Sequence, residues 1–187
     1  GATTLLLNRR LLDVNDARAV SEGVATFVPD LVIHTAAMTD VDECESVLGR
    51  DLARQVNAAG AENVARACED VGAIMVYIST NYVFDGKKID PYNENDATNP
   101  LNVYGATKLQ GEQAVVSLLE RHYVVRTATL YGHGTSNFVT SFLGASGKSQ
   151  YLNYVNDQRV VPTSTADLAI AIMDLVDADT FGLYHLV

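Results

Sequence analysis

The run Leu31-Val32-Ile33 decides the fold class, because every position in it is apolar and it opens a short segment of strand-forming residues. Such a strand is typical of a parallel sheet that is covered by helices on both faces. Similar runs alternate along the chain with longer stretches in which apolar residues recur at helical spacing. The predicted strands are residues 4–7, 31–35, 74–79, 123–126, 151–155 and 182–187, and the predicted helices are residues 16–27, 51–71, 103–120 and 166–176.

The regular alternation of strands and helices predicts an α/β fold built on a doubly wound parallel sheet. No linker or repeat divides the chain, so we expect one domain over residues 1–187. Nucleotide-binding folds of this kind begin with a strand and a glycine-rich turn, whereas only Gly1-Ala2-Thr3 precede the first predicted strand here. We therefore expect the first strand with its glycine turn, and part of a C-terminal lobe, to be incomplete in this sequence.

Composition narrows the class of protein. The chain has 187 residues, of which 48% are hydrophobic, and 13 Lys+Arg against 23 Asp+Glu give a formal charge of -10. A membrane span needs roughly 20 consecutive apolar residues, which the sequence lacks, so we expect a soluble protein without a membrane partner. An acidic chain with scattered basic residues repels a phosphate backbone, which argues against a nucleic-acid partner.

The cysteines and the acidic residues give no sign of a disulfide or a metal site. Cys44 and Cys68 lack CxxC spacing and a nearby His, and no signal-peptide pattern opens the sequence, so we expect a reducing, cytoplasmic setting. Asp40 and Glu43 precede a helical stretch in the pattern of a capping box, and we interpret them as helix-start residues rather than metal ligands. His34 lies in an apolar strand, where we expect a core histidine with satisfied hydrogen bonds.

The candidate chemistry begins in the run Ser79-Thr80-Asn81-Tyr82-Val83-Phe84-Asp85-Gly86. Thr80 stands at the carboxyl end of a buried strand, where doubly wound sheets bind ligands, and its hydroxyl can hold a carbonyl oxygen. After a polar loop, Asn99-Pro100 is typical of an N-cap followed by proline in the first helical position, so we expect a helix to begin there.

Tyr104 and Lys108 are four residues apart and share one face of this predicted helix. A phenol pKa near ~10 has to fall by about 3 units for free proton exchange at neutral pH. An adjacent ammonium and the positive end of the helix dipole favour that change. With Thr80 nearby, the pair makes an acid and an orienting donor for carbonyl reduction.

These features resemble the extended short-chain dehydrogenase/reductases, and within them the dTDP-4-dehydrorhamnose reductase branch. The similarity runs from about Leu12 to His185. Three positions depart from the branch: Asn81 replaces an aspartate, Thr129 a tryptophan and Val160 a glycine. The matching pieces are Leu12-Asp13-Val14, the runs 29–42, 79–86 and 104–112, Asp157-Gln158 and Pro162-Thr163.

The resemblance implies a Rossmann-like NAD(P)-binding domain and a reductase activity. NADPH or NADH would reduce the C4 keto group of a nucleotide-linked 4-keto-6-deoxy sugar, dTDP-4-dehydrorhamnose above all, to give dTDP-L-rhamnose. Tyr104 would protonate the oxygen, Lys108 would lower the pKa of Tyr104 and bind the nicotinamide ribose, and Thr80 would bind the carbonyl. Arg9 and Arg10 follow a strand where a 2′-phosphate would lie, which favours NADPH, although a solvated strand end explains them equally well.

The resemblance also implies the ligand contacts. Residues 133–187 would form part of the substrate-binding region, and a homodimer fits the family. Asn57 matches a position on the central helix that makes backbone or water contacts. The substrate would contact Thr80, Val83, Phe84, Tyr104 and Arg126. The cofactor would contact Gly1, Arg9, Arg10, Asp13, Val14, Ala36, Ala37, Thr39, Ser79, Tyr104 and Lys108.

Two other functions fit the same residues. A nucleotide-sugar epimerase or dehydratase uses the same Tyr and Lys but regenerates its cofactor in each cycle, whereas a reductase consumes it. A non-catalytic, dinucleotide-binding regulatory subunit, similar to the methionine adenosyltransferase β-subunit, is disfavoured by the presence of Thr80, Tyr104 and Lys108.

Overall fold

The computed structural model describes residues 2–133, 137–147, 151, 153 and 158–187, and a parallel sheet organises them. Four strands form it in the order β1, β2, β3, β6, and every pair is parallel. Two short strands, β4 and β5, pair beside it. The strands are β1 (Leu31–His34), β2 (Ile74–Thr80), β3 (His122–Thr127), β4 (Leu130–Tyr131), β5 (Thr163–Ser164) and β6 (Gly182–His185).

Seven α-helices lie in the described residues and connect the strands. They are α1 (Ala17–Phe27), α2 (Val41–Glu45), α3 (Val47–Ala53), α4 (Gly60–Val71), α5 (Val103–Leu118), α6 (Phe138–Ser146) and α7 (Thr165–Asp177). A π-helical turn, Arg54–Ala59, joins α3 to α4, and a 3₁₀ turn, Asn81–Val83, follows β2.

Helices cover both faces of the sheet, as expected for a doubly wound α/β fold. On one face α1, α4 and α5 pack on β2 and β3, with Val20, Val64, Val115 and Tyr77 buried in a common core. On the other face Leu168 and Ile172 of α7 pack on alternate residues of the same two strands. This burial on both sides explains the apolar pairs Met75-Val76 in β2 and Val124-Val125 in β3. Within the described residues, no helix is long and apolar enough to cross a membrane.

Most predicted elements are confirmed, and their ends have identifiable causes. Asp16 caps α1 by accepting a hydrogen bond from the Ala19 N–H at 3.0 Å. Asp40 caps α2 in the same way through the Glu43 N–H at 2.9 Å, as the capping-box pattern predicts. Helix α4 ends at Gly72, whose φ of 73° lies in the left-handed region that glycine adopts without strain.

Three expectations about elements differ from the structure. Residues 4–7 are not a strand: they run as irregular chain outside the sheet, and Leu6 is 84% exposed. The helix predicted from Asn99-Pro100 begins instead after Asn102, whose side chain accepts from the Gly105 N–H at 2.7 Å. The strand predicted at 151–155 falls mainly outside the described residues, and Tyr151 and Asn153 have no strand structure.

Helix α5 approaches strand β2 closely at Gly111. A β-carbon there would overlap the Tyr77 hydroxyl and the Asn57 backbone carbonyl. Both atoms are fixed, one by a fully buried ring and the other by the π-helical turn. The absence of a side chain at Gly111 therefore sets the distance between α5 and the sheet.

We expect Gly111→Ala to lower the free energy of unfolding by about 3 kcal/mol, because the added methyl forces α5 away from β2. Chemical denaturation followed by circular dichroism measures this loss. The control is Gly144→Ala in α6, where a β-carbon meets no atom within 4 Å and the gain in helix propensity is up to about 1 kcal/mol. Equal stability of Gly111→Ala and the parent protein would contradict the close approach.

Candidate active site

The three predicted catalytic residues lie together where β2 ends and α5 begins. Thr80 is the last residue of β2, and Tyr104 and Lys108 occupy the first two turns of α5. The Asn102 cap fixes the start of the helix, and Gly105 lets its first turn lie against the Tyr82 carbonyl. The site is therefore at the carboxyl edge of the parallel sheet, where this fold places ligands.

Lys108 extends from α5 into the protein and is 2% exposed. Its Nζ donates a hydrogen bond to the Ile78 carbonyl at 2.7 Å and lies 4.1 Å from the centre of the Tyr77 ring. Burial lowers the pKa of Lys108 to about 7, while the charge of Glu112 acts in the opposite direction. At neutral pH the side chain is thus divided between ammonium and amine.

Tyr104 shows the reverse of the expected pKa change. Burial raises the pKa of its phenol above the ordinary value, and the nearby Thr80 side chain offsets only part of that rise. The charge of Lys108 does not contribute to the pKa change of Tyr104 in this structure. Tyr104 consequently keeps its proton at neutral pH, which suits a group that donates a proton to an oxygen.

Asn57 holds the loop that follows β1. Its side-chain oxygen accepts from the Met38 N–H at 2.8 Å, and its Nδ2 donates to the Met38 carbonyl at 3.0 Å and to the Thr107 hydroxyl at 3.1 Å. The side chain is fully buried and thus ties the loop to α5. This agrees with the backbone-contact role expected of Asn57.

The loop held by Asn57 carries three of the predicted cofactor residues. Ala36 and Thr39 are exposed, and Ala37 is half-buried. Their small side chains leave the carboxyl end of β1 accessible, and β1 lies next to the strand that carries Thr80.

A buried ion pair lies behind the site. Arg126 of β3 donates to Glu112 of α5 through Nε at 2.9 Å and Nη2 at 2.7 Å, and both side chains are nearly inaccessible to solvent. The Ser79 hydroxyl donates to the same carboxylate at 2.5 Å. Ser79 and Arg126, predicted as cofactor and substrate contacts, are therefore engaged with Glu112, and their ligand contacts stay predictions.

Val83 and Phe84 point inward rather than towards an open surface. Val83 is fully buried, and its carbonyl accepts from the Asn99 N–H at 2.9 Å. Phe84 is 9% exposed, stacks on Tyr92 at 4.2 Å and meets the edge of His185 at 5.7 Å. This placement does not support a direct substrate contact by the Val83 side chain, because packing encloses it.

The residues predicted to bind the adenine end of the cofactor precede α1 in the chain and lie apart from Thr80, Tyr104 and Lys108. Arg9 and Arg10 are exposed, and Arg9 Nε is 3.6 Å from the Asp13 carboxylate. Val14 packs where Gly60 leaves room, and its carbonyl accepts from Asn63 Nδ2 at 2.9 Å. Gly1 falls outside the described residues.

His34 is buried, but not with all its hydrogen bonds satisfied as expected. Its ring stacks on Tyr77 with 5.8 Å between centroids, and Nε2 has no hydrogen-bond partner among the described residues. Burial, with a smaller effect from the charge of Lys108, lowers the pKa of His34 to about 3. The imidazole is neutral at physiological pH.

Sequence reasoning missed two residues that contact the candidate catalytic groups. Tyr77 lies under Lys108, and Glu112 carries the charge nearest to it. A phenol within an otherwise apolar central strand and a carboxylate four residues after Lys108 were the available signals. In the described ranges, no three His, Cys, Asp or Glu side chains are grouped so that they could hold a metal ion.

We expect Asn57→Ala to release the loop after β1. Amide exchange at Met38 should accelerate by at least tenfold, because its N–H loses its acceptor. The matched variant Asn57→Asp keeps an oxygen opposite the Met38 N–H but loses both donors, so Met38 should stay protected while stability falls. Hydrogen exchange read by NMR measures both. Unchanged Met38 exchange in Asn57→Ala would contradict the proposed hold on the loop.

Solved structures and curated proteins with similar chains share this architecture. A dTDP-4-dehydrorhamnose reductase from Clostridium acetobutylicum superposes with a TM-score of 0.92 at 41% identity, over 97% of this chain and 64% of that one. A second, from Bacillus anthracis in complex with NADP, gives a TM-score of 0.92 at 40% identity, over 96% and 63%. The dTDP-4-dehydrorhamnose reductase of Streptomyces griseus is 41% identical over 99% of this chain and 62% of its own length.

The relatives also include the spore coat polysaccharide biosynthesis protein SpsK of Bacillus subtilis, 38% identical over 99% of this chain and 64% of that protein. The chain thus spans less than two thirds of the length of these relatives. Residues 1–187 match the family model of the RmlD substrate binding domain. The chain belongs to the RmlD substrate-binding-domain family.

Proposed function

We propose that the protein reduces the C4 keto group of a nucleotide-linked 4-keto-6-deoxy sugar, converting dTDP-4-dehydrorhamnose to dTDP-L-rhamnose with NADPH. The arrangement of Thr80, Tyr104 and Lys108 carries this proposal, since it brings a protonated phenol, a hydroxyl and a buried lysine to one edge of the sheet. The names of the similar proteins support the substrate class, and the NADP complex of the Bacillus anthracis reductase supports the cofactor.

The described residues fit the nicotinamide end of such a cofactor. Lys108 uses one N–H on the Ile78 carbonyl and has two further donors for a ribose. The loop with Ala36 and Ala37 is held open by Asn57 beside it. When bound, the cofactor supplies the hydride. A glycine-rich turn for the pyrophosphate is not among the described residues.

In this mechanism Tyr104 gives the proton. Burial keeps the phenol protonated at neutral pH, so it can donate to the oxygen as negative charge develops there. Thr80, at the carboxyl end of β2, orients the same oxygen through its hydroxyl. Lys108 acts here as a donor to the cofactor ribose, because its charge does not lower the pKa of Tyr104 in this structure.

The finer assignments accompany this proposal. We assign the protein to the extended short-chain dehydrogenase/reductases, with residues 1–187 forming an NAD(P)-binding domain and residues 133–187 contributing to the substrate-binding region. We also propose a homodimer, which fits the family, and a cytoplasmic location, which fits the two free cysteines Cys44 and Cys68. Phe84 and Arg126 would act on the substrate from the loop and strand beside Thr80.

We expect Tyr104→Phe to lower kcat for NADPH oxidation with dTDP-4-keto-6-deoxy sugar by about 10²–10⁴-fold, since the proton donor is lost. The measurement is the fall in NADPH absorbance, with Tyr184→Phe as control. The Tyr184 hydroxyl donates to the Thr180 carbonyl at 2.7 Å on the far edge strand, so its loss should leave kcat unchanged.

Three results would redirect the assignment. Cofactor binding without consumption, together with new sugar isomers, would indicate an epimerase or dehydratase. Binding of cofactor and of a partner enzyme without any turnover would indicate a regulatory subunit. A Tyr104→Phe variant as active as the parent would remove Tyr104 from the mechanism.

We expect the variant with both Arg9→Ala and Arg10→Ala to raise KM for NADPH by about tenfold and to leave KM for NADH unchanged, because only NADPH carries a 2′-phosphate for these side chains. The control is Arg18→Ala on α1, which removes a surface arginine paired with Glu22. Equal changes for both cofactors would show that these arginines do not select NADPH.

A further inference from the structure

Tyr77 lies at the base of the candidate active site, yet the mechanism above does not use it. It is fully buried in β2, the central strand that ends at Thr80. The Lys108 ammonium nitrogen is 4.1 Å from the centre of its ring, well within the range of a cation–π interaction. The same ring stacks on His34 of the neighbouring strand.

The hydroxyl of Tyr77 fixes the orientation of that ring. It lies 3.2 Å from the backbone carbonyl of Asn57 in the π-helical turn and 3.2 Å from that of Lys108 in α5. Its one hydrogen serves these two acceptors, so the phenol is anchored between two helices. Gly111 allows the hydroxyl to reach that position.

We propose that Tyr77 is a positioning residue for Lys108, whose ammonium it holds and stabilises with the face of its aromatic ring. The catalytic consequence of this role rests on the proposed reductase function, whereas the interaction itself does not. Tyr77 would thereby set how much of Lys108 is charged at neutral pH.

The charged groups around Lys108 do not by themselves account for the stabilisation of its ammonium, so the Tyr77 ring can contribute to it. Glu112 favours the ammonium, but its carboxylate is already shared with Arg126 and Ser79. His34, on β1, is neutral and therefore adds no competing cation. Desolvation opposes the charged lysine, and a ring face attracts a cation most strongly where water is excluded.

Tyr104 is the other titratable group near the lysine on α5. Its phenol stays protonated at neutral pH and contributes no charge. Because Lys108 has its pKa near neutrality, removal of the ring interaction changes its charged fraction steeply. A fall of about one unit in the pKa of Lys108 would lower the ratio of ammonium to amine about tenfold at a given pH.

Carbon-13 labelled lysine makes the test direct, because the chain has only four lysines. The Cε resonances of the intact protein are followed across pH, and Lys108→Arg identifies the Lys108 signal by its loss. We expect Lys108 to titrate well below the other three. Tyr77→Leu should lower its midpoint by about one pH unit, whereas Tyr77→Phe, which keeps the ring, should leave the midpoint nearly unchanged.

A fluorinated phenylalanine at position 77 provides a second test in case the Tyr77→Leu variant does not fold. Fluorine withdraws charge from the ring face with little change of shape, so the Lys108 midpoint should fall relative to Tyr77→Phe. An unchanged midpoint in both Tyr77→Leu and the fluorinated variant would overturn the proposal. So would a fall in Tyr77→Phe as large as that in Tyr77→Leu, because the hydroxyl would then be responsible.

The pH profile of NADPH oxidation gives the catalytic readout. In Tyr77→Leu, the apparent pKa in the pH–rate profile that reports Lys108 should shift in the same direction and by the same amount as the midpoint of the Lys108 Cε resonance. A shift of the resonance with no NADPH oxidation in any variant, the parent included, would contradict the reductase function while leaving the interaction established. If the Lys108 midpoint shifts in an active Tyr77→Leu variant but the pH profile of NADPH oxidation does not, the positioning role is overturned.

Discussion

The close packing of α5 against the edge of β2 is the constraint on which the rest of the candidate site depends. Gly105 and Gly111 present no side chains at the two contacts, one with the Tyr82 carbonyl and one with the Tyr77 hydroxyl. The same helix carries Tyr104, Lys108 and Glu112 at steps of four residues, so all three project from the same face towards the sheet. A bulkier helix would place these groups away from Thr80.

This packing takes charged groups out of water, and each then needs a partner. Glu112 and Arg126 compensate each other through two hydrogen bonds, and removal of either one would leave an uncompensated charge in the interior. Lys108 has a backbone carbonyl and a ring face instead, and its pKa falls towards neutrality. Burial therefore moves the pKa of Lys108 down and the pKa of Tyr104 up, so that Tyr104 is kept as an acid.

Periodicity predicted the strands of the sheet well, because each begins with or contains an apolar run. The expectation of burial on both faces is wrong for residues 31–34, since β1 is an edge strand and Ile33 is 44% exposed. Periodicity also predicted a strand at residues 4–7, since an apolar run has the same appearance whether or not a partner strand lies beside it. Asn99 has the chemistry of a cap, but its side chain donates to Asp85 and its N–H to Val83, and Asn102 caps α5 instead. Such choices between equivalent residues depend on tertiary contacts.

The sequence predicted which residues form the candidate site better than it predicted their pKa values. Spacing alone placed Tyr104 and Lys108 on one face, but the direction of their pKa changes depends on how deeply each is buried, which a motif does not encode. The partners that determine it are contributed by distant parts of the sequence: Tyr77 precedes Lys108 by 31 residues in the chain, and Arg126 follows Glu112 by 14.

The π-helical turn at Arg54–Ala59 determines what the deletion of one residue would do at this point of the chain. A π turn contains one residue more than an α-helical turn. The turn at Arg54–Ala59 is therefore equivalent to the insertion of one residue, and the extra residue is accommodated within this turn. Deletion of one codon there would restore a regular helix while leaving α3 and α4 in phase. The position of Asn57 relative to Met38 would change, however, so the loop after β1 would lose the side chain that holds it.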